Sequence, residues 1–324
     1  MTNAVRTKAS RLETRSVFRD ALRGDARRRL LQPLILFSAD DEERRAIPTL
    51  LGQYYLSLTE AVREARAAAR AGLAGVLLFA APDRKDETAV IAAESDWLVP
   101  RAIRAIKDAV PDLGVATDVC VCAYTRHGQC VLFSEGAPDV AATHARLGEI
   151  ATTHAAAGAD LLIPSGALAG SVAAIRDALA AAALGDVEVS GVVKFESALY
   201  QPYRTAVGIP HSNERAVPLV PLGDINGALA VAARELGEGA DAIAVKPGIV
   251  ALDVVAALRS RVRVPIIAAH VAGEYAMQRA VEELGLEPAR LAVETAMASR
   301  RAGADLVVTY AAIEAADNLE GAPA

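Results

Sequence analysis

Glu238-Gly239-Ala240-Asp241-Ala242-Ile243-Ala244-Val245-Lys246 is the stretch that decides the fold. A segment of helical period, 225–236, runs into it. Gly239 can take the left-handed conformation that ends a helix. The chain then turns at once into a short run that is apolar at every position until its final lysine. Continuous rather than alternating hydrophobicity marks a parallel strand covered on both faces. The same punctuation recurs as Ala157-Gly158-Ala159-Asp160 and Ala302-Gly303-Ala304-Asp305, each leading into another apolar run.

Outward from these repeats the pattern alternates along the chain. Strand candidates lie at 33–37, 75–80, 114–119, 160–164, 187–194, 242–246, 265–270 and 305–310, and segments such as 57–71 between them have helical period. Eight strands separated by helices predict an α/β fold, a closed (β/α)₈ TIM barrel rather than an open doubly wound sheet. No Gly-x-Gly-x-x-Gly follows the first strand, so the dinucleotide fingerprint is missing. A length of 324 residues suits one such barrel. Residues 1–30, with Arg27, Arg28 and Arg29 in a row, read as an N-terminal arm or solvated helix, and 31–324 as the catalytic barrel. Between the fifth and sixth strands, 200–224 carries Pro202, Pro210, Pro218 and Pro221; so long a segment at a barrel mouth is expected to be a lid. The tail from 317 is expected to fray.

Composition narrows the function. Hydrophobic residues make up 53% and aromatics only 4%, so Ala, Val and Leu must fill a large core. A net charge of −6 gives no electrostatic footprint for nucleic acid or an anionic membrane. No apolar run approaches the roughly 20 residues of a membrane helix. Residues 1–20 lack the apolar core of a signal peptide, so a cytoplasmic protein is expected. Its three cysteines all fall between 120 and 130, a clustering that in a reducing compartment points to metal rather than disulfides.

In a barrel the C-terminal strand ends face the site. Read in order, those ends bring Asp118 with the cysteine loop, Ser165, Lys194, Lys246, Gly273-Glu274 and Tyr310. Two lysines at adjacent strand ends are the informative pair. Lys194, flanked by Val192, Val193 and Phe195, is expected to be poorly hydrated, which lowers the pKa of an amine; a second lysine nearby pushes the same way. A neutral amine can attack a ketone and form an imine. The competing reading makes either lysine a structural ion-pair partner. Cys120, Cys122 and Cys130 follow a strand with the spacing Cys-x-Cys-x₇-Cys. Three thiolates can hold Zn²⁺ and leave its fourth position open, as catalytic zinc sites do; three reduced buried thiols are the alternative. Gly128 lets the loop fold back, and His127 is either a fourth ligand, a proton donor or a bystander. Arg204 and Arg215 in the lid suit substrate carboxylates, which the planar guanidinium binds bidentately, unless they are solvated lid charges.

These residues carry a pattern that resembles the porphobilinogen synthases (5-aminolevulinate dehydratases). The loop from Asp118 to Cys130 looks like the zinc loop of the zinc-dependent members. Val193-Lys194-Phe195 with Ala198-Leu199-Tyr200-Gln201-Pro202-Tyr203-Arg204 resembles the first Schiff-base lysine and lid, and Ala244-Val245-Lys246-Pro247-Gly248 the second lysine. Gly273-Glu274-Tyr275-Ala276-Met277, the Arg301–Tyr310 region and the segment from Leu98 to Lys107 match in the same order, so the likeness runs from about Leu34 to Ala312.

The resemblance implies a TIM barrel with an N-terminal arm, assembled as a homo-octamer, that condenses two 5-aminolevulinates with loss of two waters. It implies Lys246 for the propionate-side substrate and Lys194 for the acetate side. Zn²⁺ would sit on Cys120, Cys122 and Cys130, with Mg²⁺ as a possible second metal. Arg204 and Arg215 would hold one substrate carboxylate and Tyr310 the other, Tyr200 and Tyr203 would contact substrate, and Asp118 and Ser165 would line the proton-transfer region. Departures are local. The family's Pro-Ser-Asp-Met-Met-Asp-Gly-Arg reads Pro164-Ser165-Gly166-Ala167-Leu168-Ala169-Gly170-Ser171. A serine is replaced by Ala272, a glutamine by Leu219 and a tyrosine by Phe195. Each lost polar contact to a charged group costs about 1.5–3 kcal/mol. Two alternatives therefore stand beside the family reaction: the same lysine and zinc machinery on a different keto acid, or a non-catalytic assembly or regulatory relative. A plain lysine aldolase would leave the zinc loop unexplained.

Overall fold

The computed structural model describes residues 16–37, 44–210 and 215–319. All eight predicted strands form: β1 (Leu30–Phe37), β2 (Gly75–Ala81), β3 (Gly114–Asp118), β4 (Leu161–Ile163), β5 (Glu188–Lys194), β6 (Ala242–Lys246), β7 (Ile266–Ala269) and β8 (Leu306–Val308). Each pairs in parallel with the next, and β8 pairs with β1 to close the barrel. This is a TIM barrel. No helix among the described residues is long and apolar enough to cross a membrane.

Strand alternation divides the core into two shells. Leu31, Leu77, Ala116, Ile163, Val192, Ala244, Ile267 and Val308 point into the barrel, while Leu30, Val76, Val115, Leu162, Val193, Val245, Ile266 and Val307 point outward against the helices. Because side chains alternate with period two, the inward residue that follows each of these is fixed. After Ala116 it is Asp118, after Ile163 Ser165, after Val192 Lys194, after Ala244 Lys246, and after Val308 Tyr310. The apolar interior thus gives way to a polar layer at one end of the barrel.

The repeated Gly-Ala-Asp is a structural clamp. Gly158, Gly239 and Gly303 all have positive φ, at 106°, 99° and 115°. The aspartate after each accepts an N–H from the first two residues of the neighbouring strand: Asp160 from Val115 at 2.9 Å, Asp241 from Val189 at 3.0 Å and Asp305 from Ile266 at 2.9 Å. Each also pairs with a basic residue on the helix that feeds that neighbour: Lys107 at 2.5 Å, Arg176, and Arg259 at 2.8 Å. One motif therefore ties strand, strand and helix together before β4, β6 and β8.

The opposite end of the barrel is closed by a segment the sequence reading left as an arm. The helix Ser16–Arg23 places Phe18, at 0% exposure, among Leu31, Leu77, Ala116 and Ile163. Gly114 makes room for it: a Cβ there would lie 2.8 Å from the Phe18 ring and 2.7 Å from the Ala74 carbonyl. The helix-like part of residues 1–30 is thus a plug in the barrel floor, and residues 1–15 lie outside the described residues. The lid also departs from a plain loop. It contains a 3₁₀ turn, Ala198–Tyr200, and a helix, Gln201–Ala206. The hairpin of Leu132–Ser134 with Ala137–Asp139, just beyond the cysteines, was not expected either. The tail keeps a helix, Ala312–Asn318, through the first part of the segment expected to fray; 320–324 lie outside the described residues.

Candidate active site

Lys194 and Lys246 end neighbouring strands and are register partners, side by side on the inner face. Tyr200, Tyr203 and Arg204 from the lid, Arg215, Ser165, Tyr310, Cys122 and Cys130 line one cavity with them. Asp118 and Cys120 stand directly behind this wall: Asp118 bonds Ser165 and faces both lysines, and Cys120 touches Cys122. The tertiary structure therefore brings both lysines, the three cysteines, Asp118, Ser165, the lid arginines and the three tyrosines to one place.

The two lysines differ. Lys246 keeps some contact with the open cavity but is enclosed by protein on its other sides. Burial is the main cause that lowers its pKa to about 8; Asp118 opposes the shift and the Lys194 charge adds to it. Lys194, which the flanking residues singled out, donates to the Ser165 carbonyl at 3.0 Å and lies 5.2 Å from the Tyr200 ring centre. Its neighbours Val193 and Phe195 face the helices on the other side of the strand, while Val192 faces the barrel interior with it.

Asp118 is the proton-handling candidate. Burial raises its pKa, against the pull of Lys246, the Ser165 hydrogen bond and Lys194. Its Oδ1 is buried with no hydrogen-bond partner among the described residues. Burial likewise pushes Tyr200, Tyr203 and Tyr310 upward, so these phenols stay neutral donors.

The three sulfurs lie within 4.8 Å of one another, with Cys120 and Cys122 3.3 Å apart. Thiolates about 2.3 Å from a tetrahedral zinc stand roughly 3.8 Å from each other, so the cluster fits such an ion. Cys130 is held well below the usual thiol range by hydrogen bonds from Cys120 and Cys122, aided by Lys194 and Arg204. Gly128, at φ +64°, makes the expected reversal, and a Cβ there would lie 2.6 Å from Ile209 of the lid. His127 is not in the cluster: its Nδ1 accepts from the Gln129 N–H at 3.0 Å and its ring packs edge-on against Phe133.

Two supporting residues gave little signal in the sequence. Glu274 had been read as facing the site. Its carboxylate instead accepts N–H bonds from Gly248 at 3.1 Å, Ile249 at 2.6 Å, Val250 at 3.2 Å and Val271 at 2.7 Å, bracing the turn after Lys246. Lys85 donates to the Val207 and Gly208 carbonyls at 2.7 and 2.8 Å, holding the C-terminal end of the lid helix, where partial negative charge collects. Tyr55 donates to Ala206 at 2.6 Å and Thr49 to Pro202 at 2.9 Å. Such clamps join residues far apart in sequence and leave no local pattern.

The departures from the family pattern occupy separate places. Ala272 lines the main cavity. Gly166 lies against the thiols, where a Cβ would be 3.0 Å from that of Cys130. Ala169 and Leu219 line a neighbouring cavity that reaches Lys194.

Comparison with known proteins agrees with this geometry. The sequence pattern described as Delta-aminolevulinic acid dehydratase matches residues 6–318. The Delta-aminolevulinic acid dehydratase of Methanothermobacter thermautotrophicus is 40% identical over 267 residues, 82% of each chain. That of Mycobacterium tuberculosis is 40% identical over 298 residues, 89% of each chain. The crystal structure of the Toxoplasma gondii enzyme, solved with its reaction product porphobilinogen, superposes with a TM-score of 0.86 at 32% identity, covering 97% of this chain and 91% of that one.

Proposed function

Because this chain belongs to the Delta-aminolevulinic acid dehydratase family, we propose that it condenses two molecules of 5-aminolevulinate into porphobilinogen with loss of two waters. The observation that carries this reading is the register pair of Lys194 and Lys246 facing one cavity with the thiol cluster at its wall. Lys246, with a pKa of about 8, has a substantial neutral fraction near neutral pH. Its lone pair adds to the ketone of the propionate-side substrate, and the carbinolamine expels water to leave an imine. Lys194 does the same for the acetate-side substrate. Asp118, with a raised pKa, and the Ser165 hydroxyl carry protons between the adducts. Arg204 and Arg215 clamp the carboxylate of the second substrate, and Tyr310 donates to that of the first. Tyr200 and Tyr203 complete the wall and exclude water.

Cys120, Cys122 and Cys130 would hold Zn²⁺, a Lewis acid that polarises the second substrate. In the same reading residues 1–30 form the arm and 31–324 the barrel, the Ser16–Arg23 plug joining the two. The protein works in the cytoplasm as a homo-oligomer, an octamer if it follows the resemblance.

The test is incubation with 5-aminolevulinate and Zn²⁺, read for pyrrole, with a parallel sample reduced by borohydride and mapped by mass. Adducts on Lys194 and Lys246 with pyrrole formation are expected. Absence of both adducts and of pyrrole overturns the proposal.

A further inference from the structure

A second cavity, of about 350 Å³, lies between the segment after β4, the returning limb of the lid and the helix Ile225–Gly237. Among the described residues, Lys194 is the one that lines both this cavity and the main one. Much of its wall is apolar, with Ala167, Leu168, Ala169, Val217, Leu219 and Val220 on the lining. The two charged residues on its lining besides Lys194 are already engaged. Asp224 caps the helix by accepting the Gly227 N–H at 2.8 Å, and Arg234 pairs with Glu235 at 2.8 Å and Glu238 at 3.5 Å. What this cavity offers a ligand is hydrocarbon contact.

An imine carbon carries two substituents besides its nitrogen, and Lys194 stands where two cavities meet. We infer that Lys194 accepts ketones whose carboxylate arm enters the main cavity and whose other arm is an alkyl chain lying in the side cavity. The inference rests on the reading of Lys194 as an imine-forming lysine. The step is balanced: Nζ gives one proton to solvent and adds to the carbonyl carbon, and the carbinolamine then takes up a proton and loses water to form C=N. No oxidant or reductant is needed. The substrate class is thus a 4-oxo acid with an apolar tail, beyond the amino-keto acid of the main reaction. Each methylene buried strengthens binding about fourfold, so a tail of several carbons is readily detected.

The experiment uses the full-length zinc-loaded protein, borohydride and peptide mapping, comparing 4-oxopentanoate, with a methyl arm, and 4-oxononanoate, with a pentyl arm. The expected result is trapping of the pentyl compound on Lys194 with half-saturation at least tenfold lower than for the methyl compound. Ala169→Asp and Leu219→Gln, which put polar groups on the cavity wall, should reduce that advantage below threefold while leaving the 4-oxopentanoate adduct unchanged. Equal half-saturation, an adduct on Lys246 alone, or an advantage that survives both substitutions overturns the inference. If 5-aminolevulinate labels both lysines and the pentyl compound gains nothing, this inference alone falls. If no carbonyl compound labels either lysine, the proposed function falls with it.

Discussion

The Glu274 carboxylate receives the Gly248 N–H at 3.1 Å, two residues beyond Lys246, from a position with 0% exposure. With Ile249, Val250 and Val271 it gathers four backbone donors on one buried acid. Glu274 is therefore a positioning residue for Lys246. Glu274→Gln keeps the shape but turns an amide NH₂ toward those donors. Hydrogen bonds to charged groups are each worth about 1.5–3 kcal/mol, so a loss of about 3 kcal/mol is expected, seen as a lower denaturation midpoint at unchanged slope. A looser turn admits water to Lys246, so the pH midpoint of trapping should move upward and kcat should fall more than KM rises. A stability loss with no change in that midpoint would reduce Glu274 to a purely structural role.

The pH dependence follows from Lys246. Borohydride trapping at this lysine should rise with pH and reach half its maximum near 8, the pKa that burial imposes. The sign for stability is fixed by the same shift. Between about 8 and 10.5 the unfolded lysine binds more protons than the folded one, so stability rises with pH across that window. Below about 8 both states are charged and the cost of burying the ammonium is present in full. Lys246→Met should remove this segment of the stability–pH curve and abolish the adduct.

Removal of the metal should separate binding from chemistry. Cys120→Ser, Cys122→Ser or Cys130→Ser is each expected to lose stoichiometric Zn²⁺ by elemental analysis and to lower pyrrole formation at least a hundredfold, with the Lys246 adduct retained. Retained stoichiometric zinc in all three variants would place the ion elsewhere.

The barrel floor makes a stability prediction. Phe18→Ala should cost about 3–5 kcal/mol, the range for truncating a buried aromatic. Gly114→Ala should also destabilise, since its Cβ would fall 2.8 Å from the Phe18 ring and 2.7 Å from the Ala74 carbonyl. The double variant should cost less than the sum of the two, because removing the ring relieves one of those contacts. Strict additivity in denaturant titrations would argue against the plug.

Lys85 holds the lid by two carbonyls. Lys85→Met should leave folding nearly unchanged and raise KM for 5-aminolevulinate severalfold, because Arg204 would sit on a loosened helix. Unaltered kinetics would show that Tyr55 and Thr49 suffice.

How much was legible follows from range. Most strands announced themselves within their own residues, because burial on both faces leaves a continuous apolar run, and the lysines, cysteines and lid arginines stood in recognisable local patterns. Two features were misread. Phe18 sat in a polar, Arg-rich stretch whose partner surface exists only once the barrel closes. Glu274 looked like a site residue because strand ends face the site, yet its side chain turned to backbone amides of another loop.

The order of apolar runs and glycine stops by itself determined the eight-stranded barrel, and period-two alternation determined which residues look inward. Only the tertiary structure decided how far Lys246 is cut off from water, what Asp118 faces and that Lys194 borders two cavities. Those outcomes depend on water excluded by, and charges contributed from, segments far along the chain, and no local window of residues encodes them.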